Sequence, residues 1–528
     1  MSAAQVLRAR ALTGICSGVF AGAALAAGTL TVCTDGAPDG FDIVQYESLL
    51  TEDAAGIPLY DKLLSFKPGT TEVAPGLAER WEISADGLVY TFHLRKGVKF
   101  HTTAWFKPKR ELNADDVLWS INRVNDKTHP AHGVAKSGYA YWTGMNMPEL
   151  VKSVEKIDAM TVRLTLTHPE APVLADLAMS AIGSVYSAEY AAQLQAAGKL
   201  EDLNTQPIGS GPFVFKSYQK DAVIRYAANR DYWGGVPKID NLIVAITPDT
   251  SAIVQRVKAG ECAVATLAVA QAPNIAGDPN LKIARSQPLM TSYLAPNTQH
   301  RFTSDKRFRE ALWLAIDKPS YIQAVYAGNA TVATSFLAPG IWSYDTTLKN
   351  RRDPERAKQL VKAAGYDGTP LKLFAASRDG NILRGVEVLQ ADWAKVGIKV
   401  EVQLYETGEL LKRSGRGEHD IVLASWFGDN GDPDNFFTPN LSCAAIAGGS
   451  NKAQWCNQAF ETLLEQGRKT ADIKKRSEIY VKAQRLLYDE VGIIPMVHRP
   501  LLTAVHKRVR GFVQTPFGGR DFRGVSLD

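Results

Sequence analysis

Strands and helices alternate between residues 371 and 424, and this alternation limits the fold more than any other feature of the sequence. The predicted elements, in chain order, are a strand at 371–375, a helix at 386–396, a strand at 398–402, a helix at 408–413 and a strand at 421–424. Gly397 ends the first helix. A β-α-β-α-β run of this kind predicts an α/β unit with a largely parallel sheet.

Polar loops follow the first and third of these strands, at the edge where α/β sheets bind their ligands. The first loop offers a guanidinium from Arg378. The second loop contributes Trp426, Gly428, Asp429 and Asn430. A free peptide carries an ammonium and a carboxylate, so a site that holds both ends needs one anion and one cation, and arginine binds carboxylates bidentately. The competing interpretation is a surface turn beside a polar loop that binds nothing.

Signatures of catalysis and of metal binding are absent from the sequence. The acidic loop does not fit a calcium site, because Gly431, Pro433 and Asp434 occupy the third, fifth and sixth positions counted from Asp429. Ser217 and Lys220 match a Ser-x-x-Lys pattern but lack its companion motifs. The sequence therefore predicts a protein that is not an enzyme and that needs no cofactor or metal, although an enzyme of unknown class remains a remote alternative.

The first 26 residues have the features of a secretory signal peptide. Arg8 and Arg10 precede an apolar stretch, and the small-x-small ending 24–26 follows it. The apolar stretch is shorter than the roughly 20 residues that span a bilayer. We therefore expect export and cleavage near Ala26.

Cysteine usage agrees with export to an oxidising compartment. Removal of the signal leaves an even number of cysteines, namely Cys33, Cys262, Cys443 and Cys456. Three pairings are open, and proximity in the sequence favours Cys443 with Cys456, which leaves Cys33 with Cys262. Four buried free thiols are the alternative.

The charge balance argues against nucleic acid as a partner. The chain has 60 basic and 55 acidic side chains, for a net charge of +5, without the lysine and arginine blocks that follow a phosphate backbone. Its 528 residues, of which 45% are hydrophobic and 22% charged, suit a globular protein of two or three domains.

Six long motifs carry a family resemblance: residues 58–63, 76–82, 90–101, 112–117, 207–213 and 426–437. In these motifs the chain resembles the periplasmic dipeptide- and oligopeptide-binding proteins of ABC importers, solute-binding protein family 5, and most nearly the dipeptide binders. The resemblance covers nearly all of the mature chain. The four cysteines resemble the two disulfides of that family, in the pairing that proximity favours.

The resemblance implies a clamshell of two α/β lobes with a two-strand hinge and an inserted extra domain. It places lobe I at 27–59, 210–288 and 500–528, the inserted domain II at 60–209, and lobe III at 289–499. It also implies that Asp429 holds the peptide ammonium and that Arg378, or its rival Arg384, holds the carboxylate. The implied protein is a periplasmic monomer that delivers dipeptides or short peptides to an inner-membrane permease.

A second likeness keeps the ligand open. Residues 342–345, 441–446, 454–456 and 516–518 are also similar to a related periplasmic protein linked to antimicrobial-peptide resistance, and haem binding occurs across this group. Longer peptides, antimicrobial peptides and haem are therefore the alternative ligands.

Overall fold

The computed structural model describes residues 28–377, 380–447 and 450–528. The predicted signal peptide, its cleavage position near Ala26 and the candidate Arg378 lie outside these residues. Within the described ranges, the longer strands form three sheets, of seven, six and four strands.

The seven-stranded sheet, here the first sheet, is assembled from both ends of the chain. In spatial order its strands are Leu281–Ser286, Leu501–His506, Val264–Leu267, Thr29–Thr34, Asn241–Ile246, Val223–Ala228 and Phe213–Gln219. The N-terminal strand Thr29–Thr34 pairs in parallel with a neighbour on each side. Both faces of that strand are covered, because Leu30 and Val32 on one face and Cys33 on the other are fully buried.

The six-stranded sheet, here the second sheet, corrects one expectation. Its strands, in spatial order, are Thr331–Val332, Ile494–His498, Met290–Pro296, Ile421–Phe427, Leu371–Ala376 and Val400–Tyr405. The predicted β-α-β-α-β run forms its parallel half. The sheet as a whole is mixed, because Met290–Pro296 pairs antiparallel with both of its neighbours. The expectation of a largely parallel sheet was therefore wrong, since strands from outside the run complete it.

The chain crosses between the first and second sheets twice, through residues 287–289 and 499–500, which we call the hinge segments. The strands before and after them pair with each other, Leu281–Ser286 with Leu501–His506 in the first sheet and Met290–Pro296 with Ile494–His498 in the second. The two crossings therefore run side by side. This confirms the predicted clamshell of two lobes joined by two strands.

The four-stranded sheet, here the third sheet, consists of Ala78–Ile83, Val89–Leu94, Thr161–Leu166 and Val151–Asp158. Helix Ala114–Asn125 lies beside it, and its start is fixed by a reciprocal capping box between Asn113 and Asp116. In the sequence, the third sheet lies between residues 29–34 and residues 213–286, and both of these segments contribute strands to the first sheet. The exact domain boundaries remain predictions.

Helices surround the three sheets. Those of eight residues or more are Ala114–Asn125, Ala188–Ala196, Thr250–Lys258, Lys306–Ala315, Lys318–Tyr326, Pro354–Ala363, Gly380–Lys395, Thr407–Gly415, Pro433–Leu441, Gln458–Lys469 and Ile473–Glu490. Helix Gly380–Lys395 begins six residues before its predicted start at 386, which places Arg384 on the helix. Val386, Leu389 and Trp393 bury its inner face at helical spacing.

Two disulfides join the four cysteines in the predicted pairing. Cys33 bonds to Cys262, and both side chains are fully buried between neighbouring strands of the first sheet. Cys443 bonds to Cys456, across a sequence separation of 13 residues. This second bond lies at the surface, because Cys456 is exposed.

We expect mild reductant under native conditions to open Cys443–Cys456 before Cys33–Cys262, because thiol exchange requires access to a sulfur atom. Differential alkylation followed by peptide mapping measures the order. Equal labelling of all four thiols at early times, while the protein remains folded, would contradict the burial of the Cys33–Cys262 bond.

Candidate functional site

A cavity of about 1050 Å³ lies between the first and second sheets. Second-sheet strands Met290–Pro296 and Ile421–Phe427 line one side, and first-sheet strands Val264–Leu267 and Leu501–His506 line the other. The region that carries the third sheet adds Tyr141. All three parts of the fold therefore meet around one cleft, as expected for a ligand site at a domain interface.

Asp429 lies in this cavity, just beyond the carboxyl end of strand Ile421–Phe427. Its Oδ2 accepts a hydrogen bond of 2.6 Å from the hydroxyl of Tyr141, which comes from the opposite side of the cleft. Its backbone N–H donates to Oδ1 of Asn435 at 2.8 Å. Tyr141 thus orients the carboxylate, and Asn435 fixes the backbone of the same residue.

The surroundings of Asp429 favour its neutral form unless a cation is present. Burial raises the pKa of Asp429 to about 7, and the carboxylates of Glu52 and Glu47 act in the same direction. The hydrogen bond from Tyr141 opposes this shift. A positively charged ligand group would favour the ionised form, so the site is electrostatically prepared for a cation.

The other acids of the loop have structural roles. Both carboxylate oxygens of Asp432 accept hydrogen bonds from the guanidinium of Arg476, at 2.8 and 2.9 Å. Asp432 also caps helix Pro433–Leu441 by accepting from the N–H of Asp434. Asp434 is buried against Thr438 and Tyr480. Of the three carboxylates, only Asp429 is among the described residues that line the cavity.

The remaining predicted residues of this loop differ in where they lie. Trp426 lines the cavity, and its ring centroid is 6.1 Å from that of Tyr141. Gly428 packs so closely on Phe436 that a Cβ atom there would lie 2.4 Å from the ring. Asn430 is buried and donates to Asp176 at 2.6 Å. Within the described lining, Trp426 and Asp429 face the ligand space, whereas Gly428 and Asn430 shape the loop behind it.

The guanidinium of Arg384 reaches the same cavity from helix Gly380–Lys395. The side chain is exposed, and its Nη1 donates to the carbonyl of Ala324 at 3.2 Å. A second donor edge remains available to a ligand, because a guanidinium has five N–H groups. The structure therefore brings Asp429 and Arg384 to one cavity, while Arg378 lies outside the described residues.

Several cavity residues were not found from the sequence. Glu52 accepts from Ser180 at 2.7 Å, and Glu47 accepts from Ser450 at 3.1 Å. Lys452 also lines the cavity. These residues come from segments separated by hundreds of positions, and no spacing pattern connects them. Only the folded chain brings them together.

The described residues contain no cluster of three or more His, Cys, Asp or Glu side chains arranged to hold a metal ion. The cavity lining contains no histidine among these residues. Every helix in the described part of the chain is too short or too polar to cross a lipid bilayer.

Comparisons with known proteins agree with this geometry. Residues 72–448 match the family model for bacterial extracellular solute-binding proteins, family 5. Di/tripeptide-binding protein 4 of Pseudomonas aeruginosa (strain UCBPP-PA14) is 48% identical over 514 residues, which cover 96% of each chain. Heme-binding protein A of Haemophilus influenzae (strain ATCC 51907 / DSM 11121 / KW20 / Rd) is 41% identical, over 95% of this chain and 92% of that protein.

The crystal structure of a dipeptide-binding protein from Pseudoalteromonas sp. SM9913 in complex with Met-Leu superposes with a TM-score of 0.90. It is 33% identical and covers 95% of this chain and 100% of its own. Sequence and fold therefore agree over almost the whole described length. The chain belongs to the bacterial extracellular solute-binding proteins of family 5.

Proposed function

We propose that this protein is the substrate-binding component of a peptide ABC importer, which captures dipeptides or short peptides by their charged termini. The observation that carries the proposal is the position of Asp429, a carboxylate that lines the cavity between the two lobes and whose pKa is raised by burial to about 7. Two similar proteins support a peptide as the ligand: di/tripeptide-binding protein 4 of Pseudomonas aeruginosa, and the dipeptide-binding protein whose structure contains Met-Leu.

In this proposal, Asp429 binds the peptide ammonium. The hydroxyl of Tyr141 already donates to Oδ2, so it orients the carboxylate before the ligand arrives. Trp426 lies beside it and provides an apolar wall for the first part of the peptide. Recognition through the charged terminus leaves the side chains free to vary, which suits an importer of many peptides.

The carboxylate end is assigned to an arginine at the start of helix Gly380–Lys395. Arg384 faces the cavity and keeps donors for a ligand, which supports it as the carboxylate partner. The family resemblance implies Arg378 as the carboxylate partner and Arg384 as its rival. Either arginine would give a bidentate contact with a carboxylate.

Closure of the two lobes around the hinge segments would seal the ligand from water. A ligand that contacts both sides of the cleft stabilises the closed form by its differential affinity for that form. The hydrogen bond between Tyr141 and Asp429 joins the two sides at the point where the ammonium would bind. Ligand binding and closure are therefore coupled at this residue.

The cellular setting follows from the same proposal. The signal-like N-terminus and the two disulfides support a periplasmic protein, exported with cleavage near Ala26. Its partner would be an inner-membrane ABC permease, and it would act as a monomeric carrier and not as an enzyme.

Haem is the second candidate ligand, because a haem-binding relative is 41% identical. The described cavity lining offers no histidine as an axial ligand, although tyrosine serves in some haem proteins. Titration of the mature protein with haem, followed by its absorbance spectrum, tests this candidate. Saturable haem binding that dipeptides fail to displace would favour it over the peptide.

Replacement of Asp429 by asparagine should weaken binding of Ala-Ala by roughly thirty- to several thousandfold, because it removes one member of a desolvated charge pair. Acetylation of the ligand's amine should weaken wild-type binding to a similar degree and add little in the variant. Calorimetry measures all four combinations. Additive losses would mean that Asp429 and the ammonium do not interact.

The affinity of the wild-type protein should be greatest between about pH 7 and 8. Ammonium binding lowers the pKa of Asp429, which is about 7 in the free protein, so affinity falls as the pH drops below 7. Above about pH 8 the peptide amine loses its proton. Asp429→Asn should remove the acidic limb only. Constant wild-type affinity from pH 5 to pH 7 would contradict the assignment.

Arg384→Gln should weaken binding of Ala-Ala and should couple to amidation of the ligand's C-terminus, since both changes delete one charged contact. Arg378→Gln is the matched control at the rival position. The variant whose effect disappears with the amidated ligand identifies the carboxylate partner. Coupling at Arg378 alone would move the contact six residues towards the N-terminus.

A further inference from the structure

Lys452 is a buried lysine without a bonding partner in the part of the chain that the structure describes. Its side chain is nearly enclosed, at 7% exposure, and it lines the same cavity as Asp429. The backbone carbonyl of Lys452 accepts from His419 at 2.9 Å, so the main chain is fixed. No described residue forms a hydrogen bond or an ion pair with its Nζ.

A buried ammonium of this kind destabilises the folded protein unless it donates a hydrogen bond to an acceptor. Burial lowers the pKa of Lys452, as expected when a cation loses its water. The cavity side of Nζ is where an acceptor can enter, because the rest of the side chain is packed in protein.

Two neighbours stabilise the charge of Lys452, but neither accepts a hydrogen bond from Nζ. Nζ lies near the C-terminal end of helix Thr407–Gly415, about 3.8 Å from where a Cβ on Gly415 would be, and the helix dipole favours a cation there. Glu47 raises the pKa of Lys452 through its charge, but it accepts from Ser450 and forms no ion pair with the lysine.

Lys452, Glu47 and Asp429 all line the one cavity, and Glu47 accepts from Ser450, two residues from Lys452. Asp429 is the proposed partner of the peptide ammonium. A short peptide bound there therefore occupies the space that Lys452 borders.

We propose that Lys452 binds a carboxylate on a side chain of the ligand, so that the cleft favours short peptides that contain Glu or Asp. This inference rests on the proposed function of the cleft. An ammonium has three N–H donors and no acceptor, which makes a carboxylate its matching partner. Lys452 is then a selectivity residue in the cavity that holds the peptide terminus.

The test compares two isosteric pairs, Glu-Ala with Gln-Ala and Ala-Glu with Ala-Gln, on the wild-type protein and on Lys452→Met, by calorimetry at one pH. In at least one pair the wild type should bind the acidic dipeptide more tightly by roughly ten- to a hundredfold, the usual effect of a hydrogen bond to a charged group. Lys452→Met should abolish this preference. Affinity ratios that are unchanged in both pairs would overturn the proposal.

One control sharpens the result. Lys67→Met removes another lysine that lines the cavity but is exposed and ion-paired with Glu72, so it should leave the preference intact. A loss of preference in Lys67→Met as large as that in Lys452→Met would mean that the general charge of the cavity selects the ligand, and it would overturn the proposal.

Binding of Ala-Ala, which has no charged side chain, distinguishes a failure of this proposal from a failure of the proposed function. Retained binding of Ala-Ala by Lys452→Met, with loss of the Glu preference, supports both proposals. Failure of the wild type to bind any dipeptide would refute the peptide function itself. A thermal shift of Lys452→Met with an unchanged Glu to Gln ratio would mean that the lysine serves only the fold, and it would overturn the selectivity role.

Discussion

The paired crossings of the chain through the hinge segments 287–289 and 499–500 are the constraint on which the rest of the structure depends. Because the flanking strands pair with each other in both sheets, the two lobes share a narrow connection at one edge of the cavity. A connection of this kind lets the lobes rotate while each sheet stays intact. The cavity exists because the two lobes approach each other without sharing a sheet.

Paired charges buried behind the cavity hold the recognition loop in place. The bidentate contact between Asp432 and Arg476 fixes the loop that presents Asp429. Removal of one partner from such a buried pair typically costs about 3–5 kcal/mol, since the other charge is left uncompensated. Asn430 connects the same loop to Asp176 on the opposite side of the cleft. The loop is thus held by buried contacts behind the cavity, while Asp429 lines the cavity itself.

The sequence predicted the local elements and the family architecture well, and it predicted the site only in part. Helical and strand periodicity are local, so the run from 371 to 424 was found. The antiparallel strands of the second sheet were not, because strand order depends on contacts between distant segments. The loop contains several acids; the family resemblance singled out Asp429, and the packing in three dimensions shows why Asp432 differs from it. Tyr141, 288 positions from Asp429, gives no local signal at all.

The bond between Cys443 and Cys456 has a mechanical consequence for recognition. It closes a covalent ring, with its Cα atoms 4.7 Å apart, and both Ser450 and Lys452 are members of that ring. A closed ring restricts the movement of the residues within it, so the backbone that carries Lys452 is tethered. Under the proposal for Lys452, this surface disulfide limits the movement of a residue that selects among peptides.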